Sequence, residues 1–202
     1  MEYLSVAKVG ADTAIGKGVY THFLDHAGGI RSDLTIIRLA EDCFRVVCGG
    51  DTGHRDYIWM RDMSGRKGFA NVTFHDRSEE LATLGLWGPE ARVTLAKLMD
   101  DPESISNESF PFATTKEITV CGVKVWAFHI SYVGEQGWEL YFPFSDGLAI
   151  WDALFKLGVT PVGIETYANS RRLEKSLRLQ NADLEIDSVS YTHLTLPTID
   201  RV

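Results

Sequence analysis

The stretch of sequence that decides the fold is Gly28-Gly29-Ile30-Arg31-Ser32-Asp33-Leu34-Thr35-Ile36-Ile37. Its paired glycines predict a turn, and the apolar and β-branched residues after them predict a strand. Residues 19–24 have the same β-rich character and predict the partner strand of a hairpin. One carboxylate, Asp33, falls inside the second strand, where aspartate is rare and costly to bury. Asp33 is therefore the first candidate for a functional residue.

The composition excludes several classes of protein. The chain has 202 residues, 45% of them hydrophobic and 24% charged, which is typical of an ordinary globular protein of one domain or two small ones. Its net charge of −8 argues against binding to nucleic acid or to an anionic membrane surface. No apolar run approaches the roughly 18–20 residues of a membrane span, and we expect no signal peptide at the start.

The cysteines and histidines do not predict a metal site. Cys43, Cys48 and Cys121 are an odd number without a CxxC spacing, so we expect free thiols and a cytoplasmic location rather than a disulfide framework. His22 and His26 are four residues apart, but the spacing crosses a predicted strand end and turn. We therefore expect no bound metal.

The remaining pattern predicts an α+β fold with mainly antiparallel sheets and packed helices, because strands and helices alternate irregularly and two hairpins occur. The predicted strands are residues 43–48, 71–74, 81–87, 117–120, 123–128 and 138–141, and the predicted helices are 52–65, 88–99, 146–157 and 162–177. Residues 2–9 are predicted to be the end of a helix. We expect residues 188–202, rich in Ser and Thr, to be an unrelated or disordered tail.

Three blocks in this order resemble the folate-binding domain of the glycine-cleavage T-protein (aminomethyltransferase) family. The blocks are Tyr20-Thr21 with Gly28-Gly29-Ile30-x-x-Asp33-Leu34-Thr35; Leu86-Trp87-Gly88-Pro89-x-Ala91-Arg92; and Ser131-Tyr132-Val133-Gly134-Glu135-x-Gly137-Trp138-Glu139-Leu140-Tyr141, with Asn169-Ser170-Arg171-Arg172-Leu173-Glu174-Lys175 after it. The second and third blocks look most like the C-terminal folate region of sarcosine and dimethylglycine dehydrogenases. The resemblance covers residues 1–187.

The resemblance implies the folate-binding lobes of a cloverleaf-like α+β fold. It also implies transfer of a one-carbon unit from an aminomethyl or iminium carrier to tetrahydrofolate, which gives 5,10-methylenetetrahydrofolate. The family aspartate beside the folate nitrogens corresponds to Asp33. A partly buried carboxylate there could stabilise positive charge and accept a proton, although in a hairpin it could instead be satisfied by backbone N–H groups.

The same resemblance implies a set of folate-binding residues. Glu139 corresponds to the carboxylate that accepts two parallel N–H donors of the pterin, with a plain surface position as the alternative. Tyr20 and Tyr132 correspond to tyrosines that line the pocket, and either could instead be a core residue. Arg172 corresponds to an arginine that pairs with a pocket carboxylate or positions folate, and could instead be a solvated cation. Thr35 and Ile37 share the face of Asp33 by the period of two and could also line the pocket.

The departures from the family pattern define the alternatives. Asn169 and Arg171 replace residues that are usually Asp and Leu, which puts local packing in doubt. We expect the family's first segment, its C-terminal barrel and any FAD-binding region to be missing, so FAD would belong to a fused or partner domain. The expected partners are a flavin dehydrogenase domain or a lipoyl carrier protein. The alternatives to a working transferase are a non-catalytic folate-binding paralogue and an inactive fragment.

Overall fold

The computed structural model describes residues 1–187 and divides the chain into two compact units. The first unit consists of Met1–Ile15, Val19–His75 and the segment that begins at Arg178, and the second of Gly16–Gly18 and Asp76–Leu177. The predicted tail, residues 188–202, lies outside the described residues, so the predicted domain boundary at residue 187 stays a prediction.

The first unit is built on a three-stranded sheet, and it confirms the predicted hairpin. Its strands are β1 (Gly18–Leu24), β2 (Ile30–Arg38) and β3 (Phe44–Cys48), with β2 in the middle and β3 antiparallel to it. Helix α1 (Gly53–Arg66) follows, as predicted, and Thr52 is its N-cap residue.

The turn between β1 and β2 requires both of its glycines. Gly28 has a φ of +88°, which side chains disfavour, and a Cβ on Gly29 would collide with the backbone carbonyl oxygen of Ile186. The Asp25 side chain closes the turn, because its Oδ1 accepts hydrogen bonds from the N–H groups of Ala27 at 2.9 Å and Gly29 at 2.8 Å.

The alternation of β2 decides which residues face the core. Leu34 and Ile36 are buried in one cluster with Phe23 of β1 and Met60 of α1. Since neighbouring side chains of a strand point to opposite faces, Asp33 lies on the other face of β2, away from this core. The residues that build the hydrophobic core of the first unit thereby also orient its candidate functional carboxylate.

The second unit is built on a four-stranded antiparallel sheet. Its strands are β4 (Leu81–Trp87), β5 (Thr115–Val120), β6 (Val123–His129) and β7 (Gly137–Pro143), in the spatial order β4-β7-β6-β5. The turn between β5 and β6 has positive φ at both central residues, 52° at Cys121 and 75° at Gly122, as a tight two-residue hairpin requires.

The second unit also contains several helical segments. The helices are α2 (Ala91–Ala96), α3 (Gly147–Lys156), a π-helical turn (Glu165–Arg171) and α4 (Arg172–Glu174), with 3₁₀ turns at Pro102–Ile105 and Phe144–Asp146. Trp138 and Leu140 of β7 are fully buried in a core that includes Ile150 and Leu154 of α3. The opposite face of β7, which carries Glu139, is therefore directed away from this core.

The fold class is confirmed, and several element predictions are wrong. Residues 71–74 form no strand and residues 2–9 form no helix. The helix after Pro89 ends at Ala96 rather than residue 99, and the last helical segment ends at Glu174 rather than residue 177. No helix in the described part of the chain is long and apolar enough to cross a membrane.

Candidate functional site

The predicted site residues divide between the two units. Four of them lie in the first unit and three in the second. Those of the first unit are Tyr20, Asp33, Thr35 and Ile37, and those of the second are Tyr132, Glu139 and Arg172.

Asp33 and Tyr20 lie on neighbouring strands and are in direct contact. The Tyr20 hydroxyl donates a hydrogen bond to Asp33 Oδ2 at 3.2 Å. The Asp33 side chain is partly buried, whereas Tyr20 is 51% exposed. The carboxylate of the second strand thus has a side-chain donor, so backbone N–H groups do not alone satisfy it.

The environment of Asp33 favours its protonated form. Burial raises the pKa of the Asp33 carboxyl, and the negative charges of Asp56 and Asp51 raise it further. The hydrogen bond from Tyr20 acts in the opposite direction because it stabilises the carboxylate. A carboxyl group with a raised pKa can accept a proton at higher pH than an ordinary aspartate, which suits a general base.

Thr35 and Ile37 follow Asp33 on the same face of β2 and differ in burial. Thr35 is partly buried, opposite Val47 of β3. Ile37 is fully buried, so in this structure its side chain packs and offers no surface to a ligand. Their predicted roles in lining a pocket stay predictions.

His22 is a neighbour of Asp33 and Tyr20 that the sequence motifs did not single out. Its Nε2 lies 3.4 Å from the Tyr20 hydroxyl, and the two rings meet edge to face with centroids 5.1 Å apart. His22 is only 3% exposed, and this burial lowers its pKa to about 4. The signal was present in the sequence, because residues 20 and 22 of one strand share a face.

Glu139 lies on β7, a central strand of the four-stranded sheet. Across the sheet it faces Gly85 of β4 on one side and Phe128 of β6 on the other. The Tyr141 hydroxyl donates a hydrogen bond to Glu139 Oε2. Burial raises the pKa of the Glu139 carboxyl, and the hydrogen bond from Tyr141 partly offsets this rise. Glu139 is thus a partly buried and hydrogen-bonded carboxyl, and its predicted contact with the pterin stays a prediction.

Trp87 is a neighbour of Glu139 that belongs to the second family-like block but was not a predicted site residue. By register it shares the Glu139 face, opposite Gly137. A Cβ on Gly85 would lie 2.5 Å from Trp87 Cζ2, so the indole ring occupies the space beside this glycine. Trp87 Nε1 is buried and has no hydrogen-bond partner within residues 1–187. The glycine two residues before the tryptophan was the available signal.

Tyr132 lies in the bent segment that leads into β7 and is partly buried. This segment is held against the Trp-Gly-Pro block, because the Gly88 N–H donates to the Gln136 carbonyl at 2.8 Å. Gly134 of the same segment lies against the Lys175 side chain. The structure thus brings together parts of the second and third family-like blocks, while a ligand contact of Tyr132 stays a prediction.

Arg172 is a buried cation. It is 4% exposed, and its Nε donates to the Ala168 carbonyl at 2.5 Å, while Nη1 donates to the Leu177 carbonyl at 3.0 Å. The alternative of a solvated helix-face cation is wrong. These contacts hold the end of the helical segment, and a direct role towards folate stays a prediction.

The Glu139 face fits a flat heterocycle that carries N–H donors. The carboxylate is an acceptor for two donors, and the unpartnered indole N–H of Trp87 is a donor for a ring carbonyl or nitrogen. Gly85 opposite Glu139 adds no side chain to this face. The acceptor Glu139 and the donor Trp87 together therefore fit the edge of a pterin ring.

Comparisons with known proteins agree with this geometry. The sequence pattern of the family described as GCVT N-terminal domain matches residues 1–193. Dimethylglycine dehydrogenase, mitochondrial, from Homo sapiens is 34% identical over 172 residues, which are 83% of this chain and 19% of that protein. The aminomethyltransferase of Herpetosiphon aurantiacus is 34% identical over 179 residues, which are 89% of this chain and 47% of that protein.

A solved structure gives the same result. The crystal structure of glycine cleavage system aminomethyltransferase T from Bartonella henselae matches with a TM-score of 0.73 and 25% identity, covering 89% of this chain and 46% of that one. The chain thus spans about half the length of the aminomethyltransferases and about a fifth of the dehydrogenase. With nearly all of its residues matched, the chain belongs to the GCVT N-terminal domain family.

Proposed function

We propose that this chain is the tetrahydrofolate-binding part of an enzyme that moves a one-carbon unit from an aminomethyl or iminium carrier to tetrahydrofolate, giving 5,10-methylenetetrahydrofolate. The observation that carries the proposal is Asp33. It is a partly buried carboxyl with a raised pKa and a hydrogen bond from Tyr20, and the resemblance of the Gly28-Gly29-Ile30-x-x-Asp33-Leu34 motif makes it the counterpart of the family aspartate. The names of the aminomethyltransferase relatives support the same reaction class.

In this proposal Asp33 stabilises a positive charge and accepts a proton. Bound tetrahydrofolate supplies the amine nitrogens that receive the carbon. The Asp33 carboxylate stabilises positive charge beside it, and it accepts a proton released from the folate nitrogen as the new C–N bond forms. The bonds that held the carbon to its carrier break, their electrons stay on the departing carrier atoms, and those atoms take up the released protons. Tyr20 holds the carboxylate by its hydroxyl, so the carboxylate keeps one orientation. A fixed charge stabilises a nearby opposite charge more strongly in a partly buried site than in water.

Glu139 and Trp87 bind rather than react. The Glu139 carboxylate accepts the amino and N–H donors of the pterin edge, and the Trp87 indole provides an apolar surface and one donor. Tyr132 is a further proposed ligand contact of the second unit and Thr35 one of the first, while Arg172 holds the end of the helical segment through the Ala168 and Leu177 carbonyls.

The carbon donor comes from outside this chain. In this proposal the chain works with a flavin dehydrogenase domain or with a lipoyl carrier protein, and FAD is held by a fused or partner domain. The name of the dimethylglycine dehydrogenase relative favours the flavin domain. Oxidation of the methylamine would then take place in that domain, and the transfer to tetrahydrofolate in this one.

The proposed compartment is a reducing one, and for this chain we propose the cytoplasm. Support comes from Cys43, Cys48 and Cys121, which are an odd number of cysteines without a CxxC spacing. Two kinds of relative, the dimethylglycine and sarcosine dehydrogenases, carry the word mitochondrial in their names. Cell fractionation with an antibody against the native protein separates the two locations.

The proposal is tested by calorimetry and turnover on the whole protein that carries this chain. Tetrahydrofolate should bind to the well-folded protein, and Asp33→Asn should lower turnover about 10²–10⁴-fold with little loss of binding. Glu139→Ala should weaken binding instead. Asp62→Asn, an exposed aspartate on α1, is the matched control and should behave as wild type. No binding at millimolar tetrahydrofolate would overturn the proposal.

A further inference from the structure

The Tyr20 hydroxyl lies between two polar side chains. Asp33 Oδ2 is 3.2 Å from it on one side, and His22 Nε2 is 3.4 Å from it on the other. Tyr20 and His22 belong to the same face of β1, and Asp33 projects from the neighbouring strand β2. The three groups therefore form a hydrogen-bond chain that begins at the buried His22 imidazole and ends at the candidate catalytic carboxylate of Asp33.

The number of protons on each group fixes which group donates and which accepts along this hydrogen-bond chain. A tyrosine hydroxyl has a single proton, so when it donates to the Asp33 carboxylate its oxygen can only accept from the other side. His22 is buried and neutral at pH 7, because burial lowers its pKa to about 4. A neutral imidazole carries one N–H, and to donate to Tyr20 this N–H must be on Nε2.

We propose that His22 is a positioning residue for Asp33. Its Nε2–H donates to the Tyr20 oxygen and so turns the Tyr20 proton towards the Asp33 carboxylate. The inference rests on the proposed function only in calling Asp33 catalytic; the hydrogen-bond chain itself is a property of the free protein. The order His22 to Tyr20 to Asp33 strengthens the last bond, because hydrogen bonds in series polarise one another.

Burial explains why the imidazole is suited to this role. Tyr20 is half exposed, so water competes for its hydroxyl and would leave its direction undefined. His22 is almost fully buried and is held edge to face against the Tyr20 ring, so its own N–H is fixed. The other charged groups that act on Asp33 within this unit are Asp51 and Asp56, and both disfavour its carboxylate. The hydrogen bond from Tyr20 opposes them, together with a backbone hydrogen bond to the carboxylate.

The first test is nitrogen-15 NMR of the imidazoles in the full chain without folate. His22 is expected to be the Nε2–H tautomer, and Tyr20→Phe should change its tautomer ratio, since the acceptor is then lost. The exposed His75 serves as the internal reference, and its signals should not change. An Nδ1–H tautomer of His22 in the wild-type protein would overturn the proposal.

The second test measures the pKa of Asp33 by carbon-13 NMR. His22→Leu should raise it by roughly 0.1–0.7 pH units, because a charged hydrogen bond loses its cooperative part. His22→Gln should restore it, since the amide can donate to the Tyr20 oxygen, and His75→Leu should leave it unchanged. An Asp33 pKa that is the same in His22→Leu and wild type contradicts the proposal. If His22→Leu does not fold, the Asp33 pKa of His22→Gln and the tautomer of His22 in the wild-type protein test the proposal instead.

Turnover separates this inference from the proposed function. In the active protein His22→Leu should lower kcat by up to about fivefold with little change in KM, and the Gln variant should recover it. A protein with the expected tautomer and pKa changes but no tetrahydrofolate binding would overturn the proposed function and leave the hydrogen-bond chain established. A protein that binds and turns over normally with His22→Leu overturns the positioning role alone.

Discussion

Glu139 of β7 lies directly opposite Gly85 of β4, so the carboxylate has no side chain beside it on that strand. The space next to Gly85 is taken instead by the indole ring of Trp87. A methyl group at position 85 would lie 2.5 Å from Trp87 Cζ2, closer than real contacts allow. The glycine therefore permits an aromatic ring and a carboxylate to occupy neighbouring places on one sheet face.

Gly85→Ala is expected to weaken tetrahydrofolate binding, because the new methyl group displaces the Trp87 ring. Each 1.4 kcal/mol of binding free energy that is lost lowers the affinity about tenfold. Gly147→Ala is the matched control, since a Cβ there meets only ordinary contacts, the nearest at 3.7 Å. Calorimetric titration checks both variants. Equal affinity of the Gly85 variant and wild type would show that the Trp87 position does not matter for the ligand.

Glu139→Gln is expected to stabilise the free protein at neutral pH. The Glu139 pKa is raised by burial above its usual 4.5, so the folded chain binds more protons than the unfolded one between the two values. The free energy of unfolding therefore falls as pH rises through the folded pKa, by about 1.4 kcal/mol for each pH unit that separates the folded from the unfolded pKa. A glutamine does not ionise, so the variant avoids this loss of stability. Its side-chain carbonyl can still accept a hydrogen bond from the Tyr141 hydroxyl.

Thermal unfolding at pH 4 and pH 8 checks this expectation. The Glu139→Gln variant should have the higher Tm at pH 8, and the difference should shrink at pH 4. The control is Glu135→Gln, in the exposed segment before β7, which should follow wild type at both pH values. A lower Tm for Glu139→Gln at pH 8 would mean that the carboxylate stabilises the free fold.

Much of the fold could be predicted because local signals agreed with the tertiary structure. The Gly28-Gly29 pair is a strong turn signal, and the φ of +88° at Gly28 agrees with it, whereas the approach of the Ile186 backbone to Gly29 is a tertiary contact. Strand β4 (Leu81–Trp87) has the predicted bounds, since Gly88 and Pro89 end it sharply. In these places a single local arrangement is favoured.

Other features depend on contacts that no local pattern records. Residues 71–74 alternate like a strand, but no neighbouring strand within residues 1–187 pairs with them, so the alternation has no effect. The site residues Asp33 and Glu139 were found through resemblance, whereas His22 and Trp87 depend on register and on neighbouring glycines. The sequence carries a local signal for each of them, but which residues they face across the sheet follows only when the strands are aligned.

Asp56→Asn is expected to lower the pKa of Asp33. Asp56 is fully buried on α1, accepts a hydrogen bond from Ser32 at 2.5 Å, and its negative charge raises the Asp33 pKa. Removal of the charge leaves the acceptor for Ser32 in place. The carbon-13 titration of Asp33 should move to lower pH, and the acidic limb of the pH–rate profile should move with it.

The matched control is Asp62→Asn, an exposed aspartate on the same helix. Its charge is screened by solvent, so it should leave the Asp33 titration within error of wild type. If both variants shift Asp33 equally, the effect comes from net charge. If neither does, the charge of Asp56 does not act on the Asp33 pKa.

Arg172→Met is expected to lower the free energy of unfolding by about 2–4 kcal/mol, because the buried Ala168 carbonyl and the partly buried Leu177 carbonyl lose a charged donor. Its neighbour Arg171 is exposed and pairs with Glu174, so Arg171→Met should change stability by less than about 1 kcal/mol. Urea unfolding of both variants without ligand checks the difference. If Arg172→Met keeps wild-type stability but loses tetrahydrofolate binding, Arg172 acts on the ligand, as the resemblance implied, and its backbone contacts are secondary.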